Sequence, residues 1–280
     1  MTGIREVLRG ELVSIATDTA PLDGILYEPD GGATAGAVIL FHGNTMNFYV
    51  GPPRFLPPAL VAMGFACLAF NRRAHDVLSV RGDKGRMEGG AFQTTAQALA
   101  DHATAADWLA ARGYPAPVVI GHSNGGMMAA PHVAARPQTP ALVLLSAGAG
   151  GPARTQREGL LAGPRLPEVR ARAEAMVAAG RGDELMLLPG WWYVITARSF
   201  LDRITTVPDI LAYAPRITCP ALYVRGDAES EATFPGEKFR QLAGGPCESV
   251  VVPDCDHFYN GREAEVTMIV ADFLRRRVVS

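Results

Sequence analysis

Apolar residues recur along this chain in short unbroken runs, and each run gives way to a stretch where apolar positions return every three or four residues. The runs Ala37–Phe41, Phe65–Phe70, Val118–Ile120, Ala141–Leu145, Ala221–Arg225 and Ser249–Val252 lack the alternation of half-exposed strands. They predict strands covered on both faces. Helical patterns follow over Arg54–Met63, Thr94–Arg112, Asn124–Arg136, Gly236–Leu242 and Ala264–Arg277. In Thr94–Arg112, Leu99, Ala103, Ala106 and Leu109–Ala110 share one face and Gly113 marks the stop. Repeated βα units predict an α/β fold with a mostly parallel central sheet and helices on both faces. Glu11–Thr17 and Gly24–Glu28 add an opening antiparallel pair, with Pro21 and Asp23 near its turn. Val80–Gly90, polar and glycine-rich, is expected to form a mobile loop.

One segment breaks the rhythm. Between Gly148 and Pro220 no strand is expected, while Pro167–Ala179 and Tyr193–Ile204 are helical in pattern. The division expected is a core of residues 1–148 and 220–280 with a helical cap, 149–219, inserted over the carboxyl edge of the sheet. That edge is where open α/β sheets bind ligands. Trp191, Trp192 and Tyr193 in the insertion either line a substrate pocket or form the cap's own core.

The run Val118–Ile120 ends on Gly121-His122-Ser123-Asn124-Gly125, a Gly-x-Ser-x-Gly pentapeptide. Between a strand and a helix it predicts a sharp turn that exposes the Ser123 hydroxyl as a nucleophile. In so glycine-rich a chain the pattern arises by chance in about one sequence in ten, so its context decides. A serine nucleophile needs a base, an acid to orient the base, and donors for the developing oxyanion. His257, in Asp256-His257-Phe258 after the last strand, is the candidate base. The acid is either Glu229 or Asp227, both in the loop after Ala221–Arg225, with the balance toward Glu229 and Glu231 left to solvent. The oxyanion donors expected are the main-chain N–H groups of Asn124, at a helix amino end, and Asn44, after Phe41-His42-Gly43. His42, Gly43 and His122 join the candidate substrate-binding residues, with His122 also read as a packing brace for the elbow. His75 and Asp76 are expected to organise a loop. Arg72, Arg73 and Arg198 carry no weight as carboxylate holders in a chain so rich in arginine.

These motifs, with Arg72-Arg73-Ala74-His75 and Gly226-Asp227-Ala228-Glu229, make the chain resemble the α/β-hydrolase superfamily over nearly its whole length. Members commonly place the acid three residues after the glycine of Gly-x-x-Asp, which falls on Glu229; the usual Asp is absent there. The resemblance implies an α/β-hydrolase fold and a cap, and leaves the substrate open.

Composition narrows the classes. The 280 residues carry a net charge of −2, with 48% hydrophobic and 19% charged residues, so a folded domain is expected and neither nucleic acid nor a membrane surface is indicated as partner. The amino-terminal stretch has no apolar core of a secretion signal, and a cytoplasmic location is the default. Cys67, Cys219, Cys247 and Cys255 read as reduced thiols, and Asp254, Asp256 and His257 lack the further spacing of a metal site. The reading is a cofactor-independent serine hydrolase of a small, moderately hydrophobic ester-like or amide substrate. A carbon–carbon bond hydrolase or acyltransferase with the same residues, or a non-catalytic small-molecule receptor, stand as alternatives. The sequence is silent on oligomeric state.

Overall fold

The computed structural model describes residues 8–80, 87–158, 161–189 and 193–279. In chain order its elements are β1 (Glu11–Ile15), β2 (Leu22–Tyr27), β3 (Ala37–Phe41), α1 (Pro52–Phe55), α2 (Pro57–Ala62), β4 (Ala66–Phe70), β5 (Ser79–Val80), β6 (Met87–Glu88), α3 (Thr95–Ala111), β7 (Val118–His122), α4 (Asn124–Ala134) and β8 (Leu142–Leu145). There follow α5 (Pro152–Glu158), α6 (Leu166–Ala178), β9 (Leu185–Leu187), β10 (Val194–Thr196), α7 (Ala197–Thr206), α8 (Ile210–Tyr213), β11 (Ala221–Gly226), α9 (Gly236–Leu242), β12 (Cys247–Val252) and α10 (Glu263–Arg277).

Eight strands form one sheet in the order β1-β2-β4-β3-β7-β8-β11-β12. The first three pair antiparallel and every other pairing is parallel. Every residue of β3, β4, β7 and β8 is buried, which is why these strands carry no polar face. Period-two geometry divides their side chains. Ile39, Phe41, Val119, Leu142 and Leu144 pack with Ala105 and Leu109 of α3 and Val133 of α4. Val38, Leu40, Ile120, Val143 and Leu145 pack on the other side with Leu60 of α2 and Val270 and Phe273 of α10. The strand order reverses between β3 and β7, so a crevice opens there beyond the carboxyl ends of the strands.

Two local expectations are corrected. Arg54–Met63 is not one helix: Pro57 and Pro58 start a separate α2, because proline has no N–H to continue α1. Between β8 and β11 there is a short ribbon, β9 antiparallel to β10, where no strand was expected. The following helix accordingly starts at Ala197 rather than Tyr193, capped by the Thr196 side chain accepting from Ser199 N–H. Ser79–Val80 and Met87–Glu88 also pair as a two-residue ribbon within the expected loop, while 81–86 lie outside the described residues. Helices α6 and α7 and this β9–β10 ribbon share an apolar cluster of their own, built on Leu166, Ala173, Met186, Ile195 and Phe200.

Candidate active site

At the end of β7 the chain turns through Ser123, whose φ of 53° and ψ of −121° are rare for any residue with a side chain. The turn exists because its neighbours are glycines. A Cβ on Gly121 would lie 2.7 Å from the carbonyl oxygen of Gly125, and one on Gly125 would collide with the carbonyl oxygens of Phe41 and His42. Ser123 N–H donates to Leu145 O at 2.8 Å, tying the elbow to β8. The helix α4 starts at Asn124 with no side-chain cap, leaving its positive dipole end facing the crevice.

His257 and Glu229 meet Ser123 from the loops after β12 and β11. His257 Nδ1 donates to Glu229 Oε1 at 2.6 Å, and its Nε2 stands 2.9 Å from Ser123 Oγ, placed to accept the hydroxyl proton. Phe234 and Phe258 flank the imidazole, with ring centroids 5.4 and 5.1 Å away. Glu229 is buried, and its second oxygen, Oε2, accepts from Ser146 Oγ at 2.6 Å and from Gly226 N–H at 3.1 Å. Ser146 itself is buried with a φ of 46° and lies 2.8 Å from the hydroxyl of Tyr259, which donates to Val224 O. A buried carboxylate thus has its lone pairs occupied, as burial of charge requires.

Asp227, the other acid considered, does not face His257. Its two oxygens accept the main-chain N–H groups of Asp254 and Cys255, and these bonds, that of Cys255 foremost, hold its carboxyl below the usual range. Its part is to join the acid loop to the histidine loop. Glu231 is open to solvent, its side chain 41% exposed, and it also accepts from the N–H groups of Glu237 and Lys238 at the start of α9 and pairs with Arg225.

The turn after β3 brings Asn44 to the crevice, opposite Asn124. Its companions His42 and Gly43 do not line that space, which corrects their reading as substrate contacts. His42 is fully buried; its Nδ1 donates to Gly43 O at 2.8 Å and its Nε2 accepts from Arg72 N–H. Gly43 is a site of close approach, since a Cβ there would lie 2.6 Å from Met46 Sδ and 3.2 Å from Ser123 Cβ. Arg72 is a fully buried guanidinium that binds no substrate: it donates to His42 O, Gly43 O and Asn124 Oδ1. It therefore straps the turn after β3 to the first residue of α4. Burial brings its pKa down to about 10.

His122 also stays out of the crevice, for it is 1% exposed. Its Nε2 donates to the main-chain oxygen of His257, the bracing role expected, and excludes a substrate contact. Trp191 and Trp192 lie outside the described residues. Tyr193 belongs to the apolar cluster of α6 and α7, with its hydroxyl on Gly90 O. His75 Nδ1 lies 2.7 Å from Asp76, and its Nε2 lies 2.9 Å from Ser79 Oγ, a loop arrangement. Arg73 is closed by Asp101 and Asp18, and Arg198 by Asp183. Asp254 pairs with Arg262, Asp256 caps Phe258 and Asn260, and the four cysteines are free. Among the described residues no cluster of three His, Cys, Asp or Glu could hold a metal, and no helix is long and apolar enough to cross a membrane.

The crevice is a cleft of about 290 Å³ with Ser123, Asn124, Asn44 and His257 at its floor. Its lining is apolar at Ala98, Met127, Met128, Leu161, Val207 and Phe234 and polar at Gln93, Thr94, Thr95 and Arg203. Ser146, Tyr259 and the straps through Arg72 were not read from the sequence. The signal available for His122 was parity: it shares the face of Val118 and Ile120, which pack toward α10 and away from α4.

A sequence model of the alpha/beta hydrolase family matches residues 38–267. No curated protein matches the sequence. Among solved structures, Est1E from Butyrivibrio proteoclasticus with ferulic acid bound superposes with a TM-score of 0.70 at 19% identity, covering 96% of this chain and 100% of that one. An esterase domain of a Rhodothermus marinus protein gives 0.65 at 19% identity, covering 97% and 100%. Dienelactone hydrolase from Anabaena variabilis gives 0.60 at 16% identity, covering 97% and 99%. At such identities the likeness is one of fold.

Proposed function

The chain belongs to the alpha/beta hydrolase family, and from that premise we propose that it is a serine hydrolase cleaving an ester-like bond of a small molecule through an acyl-enzyme. The observation that carries this reading is the continuous hydrogen-bonded line Ser123 Oγ–His257–Glu229, at 2.9 and 2.6 Å. With the His257 proton on Nδ1 and held by Glu229, Nε2 is free to take the Ser123 proton as Oγ attacks the substrate carbonyl. Glu229 keeps the tautomer and stabilises the imidazolium that forms. The carbonyl oxygen, now an oxyanion, is received by the main-chain N–H groups of Asn124 and Asn44, with the α4 dipole adding to the field. Imidazolium gives its proton to the leaving alcohol, an acyl-serine remains, and water activated by the same His257 releases the acid and restores Ser123.

Residues 149–219 serve in this reading as a lid over the cleft, supported by Thr155, Leu161, Arg203 and Val207 in its walls. The apolar lining at Met127, Met128, Leu161 and Val207 favours a partly hydrophobic acyl or alcohol group. The test is covalent labelling. A fluorophosphonate is expected to modify Ser123 in the wild-type protein and leave Ser123→Ala untouched, with ester turnover reduced by as much as roughly 10⁶-fold in that variant. A folded wild-type protein that resists the reagent would refute the proposal.

A further inference from the structure

Among the described residues, the polar part of the cleft lining has one cation with no opposite charge beside it. Arg203, on α7, is half-buried in that lining. Its Nη2 donates to Gly90 O at 2.8 Å, and its guanidinium carbon stands 5.6 Å from the centre of the Tyr193 ring. Neither contact supplies a negative charge. Among the described residues no carboxylate lies within ion-pairing distance of it; Arg54 and Arg216 share that lack, but neither lines the cleft. Asp202, its neighbour in sequence, has its carboxylate on the Thr95 N–H at 2.6 Å. None of the described residues lining the cleft is Asp or Glu.

The surroundings add to the same sign. Arg72 lies beneath the turn that carries Asn44, strapped only to carbonyl oxygens and the Asn124 amide. Burial above all lowers the pKa of Arg72; the Asp101 carboxylate offsets part of this, and the proximity of Arg203 adds to it. The uncapped amino end of α4 faces the same space. A guanidinium partly withdrawn from water retains four donors beyond the one on Gly90, and its planar fork matches a carboxylate. Nothing else in this part of the lining needs a cation: Gln93 and the threonines are neutral, and a neutral ester would leave the charge uncompensated.

We propose that Arg203 receives a carboxylate of the substrate, so that the natural substrates are esters that also bear a carboxylate, with an apolar spacer lying along Met127, Met128 and Val207. The inference rests on the serine-hydrolase reading and adds to it the class of substrate. It makes Arg203 a binding residue for the part of the molecule that does not react. An ion pair in this partly desolvated site is favoured over the same contact in open solvent, and its benefit declines as salt rises.

The experiment compares matched esters in a pH-stat: ethyl butyrate against monoethyl succinate, then the longer neutral esters against the half-esters of glutarate and adipate. At least one half-ester is expected to exceed its neutral partner in kcat/KM by about tenfold or more. In Arg203→Gln that ratio should fall by a similar factor, and Arg203→Lys should recover part of it. Arg198→Gln, which alters an exposed arginine paired with Asp183, is the control and should keep the wild-type ratio. A purely structural role for Arg203 would lower the melting temperature without moving the ratio. No preference for any half-ester in the wild type, or a ratio unchanged in a folded Arg203→Gln, overturns the proposal. Should none of the esters be turned over, half-ester binding to Ser123→Ala is measured calorimetrically. Binding at least about tenfold tighter than to Ser123→Ala/Arg203→Gln sustains the carboxylate site, and equal binding overturns it. Failure of the hydrolase reading is separate, being read from the absence of fluorophosphonate labelling at Ser123.

Discussion

The ring of His122 donates from Nε2 to the main-chain oxygen of His257 across 2.9 Å, so the residue before the nucleophile holds the loop of the proposed base. The donor must be a neutral imidazole with its proton on Nε2. Burial, and secondarily the neighbouring His257, keep it neutral by bringing its pKa down to about 4. Replacing the ring by one of similar size without the donor, His122→Phe, should let His257 drift from Ser123. A displacement on the order of 1 Å costs about 10²-fold in turnover. Steady-state kinetics on a p-nitrophenyl ester should show that loss in kcat with KM nearly constant, and His122→Gln should recover part of it. An unchanged kcat in His122→Phe would show that the brace is idle.

Glu229 and Asp227 stand two residues apart, yet their isosteric variants should behave in opposite ways. Glu229→Gln removes the charge that orients His257 and should lower kcat by roughly 10⁴-fold, as loss of the orienting acid does in comparable sites. Asp227→Asn should leave kcat intact and lower the melting temperature. The sign of its pH dependence follows from its partners. Because the Cys255 and Asp254 N–H groups lower the folded-state pKa of Asp227, its stabilising contribution is complete above the unfolded value of 3.8 and is lost as the pH falls through the folded value. The melting-temperature gap between wild type and Asp227→Asn should therefore close at strongly acid pH. A gap that persists there would remove the charge from the explanation.

Gly125 is where two main chains come into contact, and the cost of a methyl group there can be measured. A Cβ would collide with the carbonyl oxygens of Phe41 and His42, groups fixed in or beside β3 and unable to rotate away. Gly125→Ala should destabilise the fold by about 3 kcal/mol or fail to accumulate as folded protein. Urea unfolding with an unchanged midpoint would contradict the packing described.

Four histidines make the fold sensitive to acid. His42, His102, His122 and His132 are buried, and burial is the first cause holding each below the ordinary imidazole value of 6.5, His122 to about 4 and His132 to about 3. In the unfolded chain they take up protons near that ordinary value; in the folded chain they do not. Their favourable contribution is thus whole above 6.5 and is lost as the pH falls from there toward the folded values. Each histidine adds a slope of about 1.4 kcal/mol per pH unit across the window where only the unfolded form is protonated. His102 isolates one of the four, because both its ring nitrogens lack partners and it stacks on Phe41 at 3.6 Å as a plain aromatic ring. The stability of His102→Phe, followed by urea unfolding from pH 7 to 5, should fall less steeply than that of the wild type by one histidine's share.

The strands of this fold were legible because both faces of the sheet are covered, which leaves His122, at the end of β7, as the one strongly polar side chain in β3, β4, β7 and β8. The elbow was legible because close approach demands glycine at Gly121 and Gly125. The ribbon of β9 and β10 escaped because three-residue strands are shorter than the period that would reveal them. Ser146 and Tyr259 escaped for a different reason. Their roles depend on three loops meeting beside Glu229, and no local pattern records that a serine after one strand will face a carboxylate after another. Arg203 escaped because arginine is common in this chain. What marks it is a place in the cleft lining with no carboxylate partner among the described residues, and both are read only in three dimensions.

The hydroxyl of Ser146 reaches Glu229 from the residue just past β8, and the parallel pairing of β8 with β11 sets Leu145 beside Val224, with Ser146 N–H on Val224 O. A slip of one residue between these strands would turn Ser146 to the opposite face and leave the acid without that donor. The sheet's pairing register therefore acts as a proofreader for the chemistry above it. Under the proposed mechanism, a chain that collapses with these two strands misaligned would be compact and yet catalytically silent.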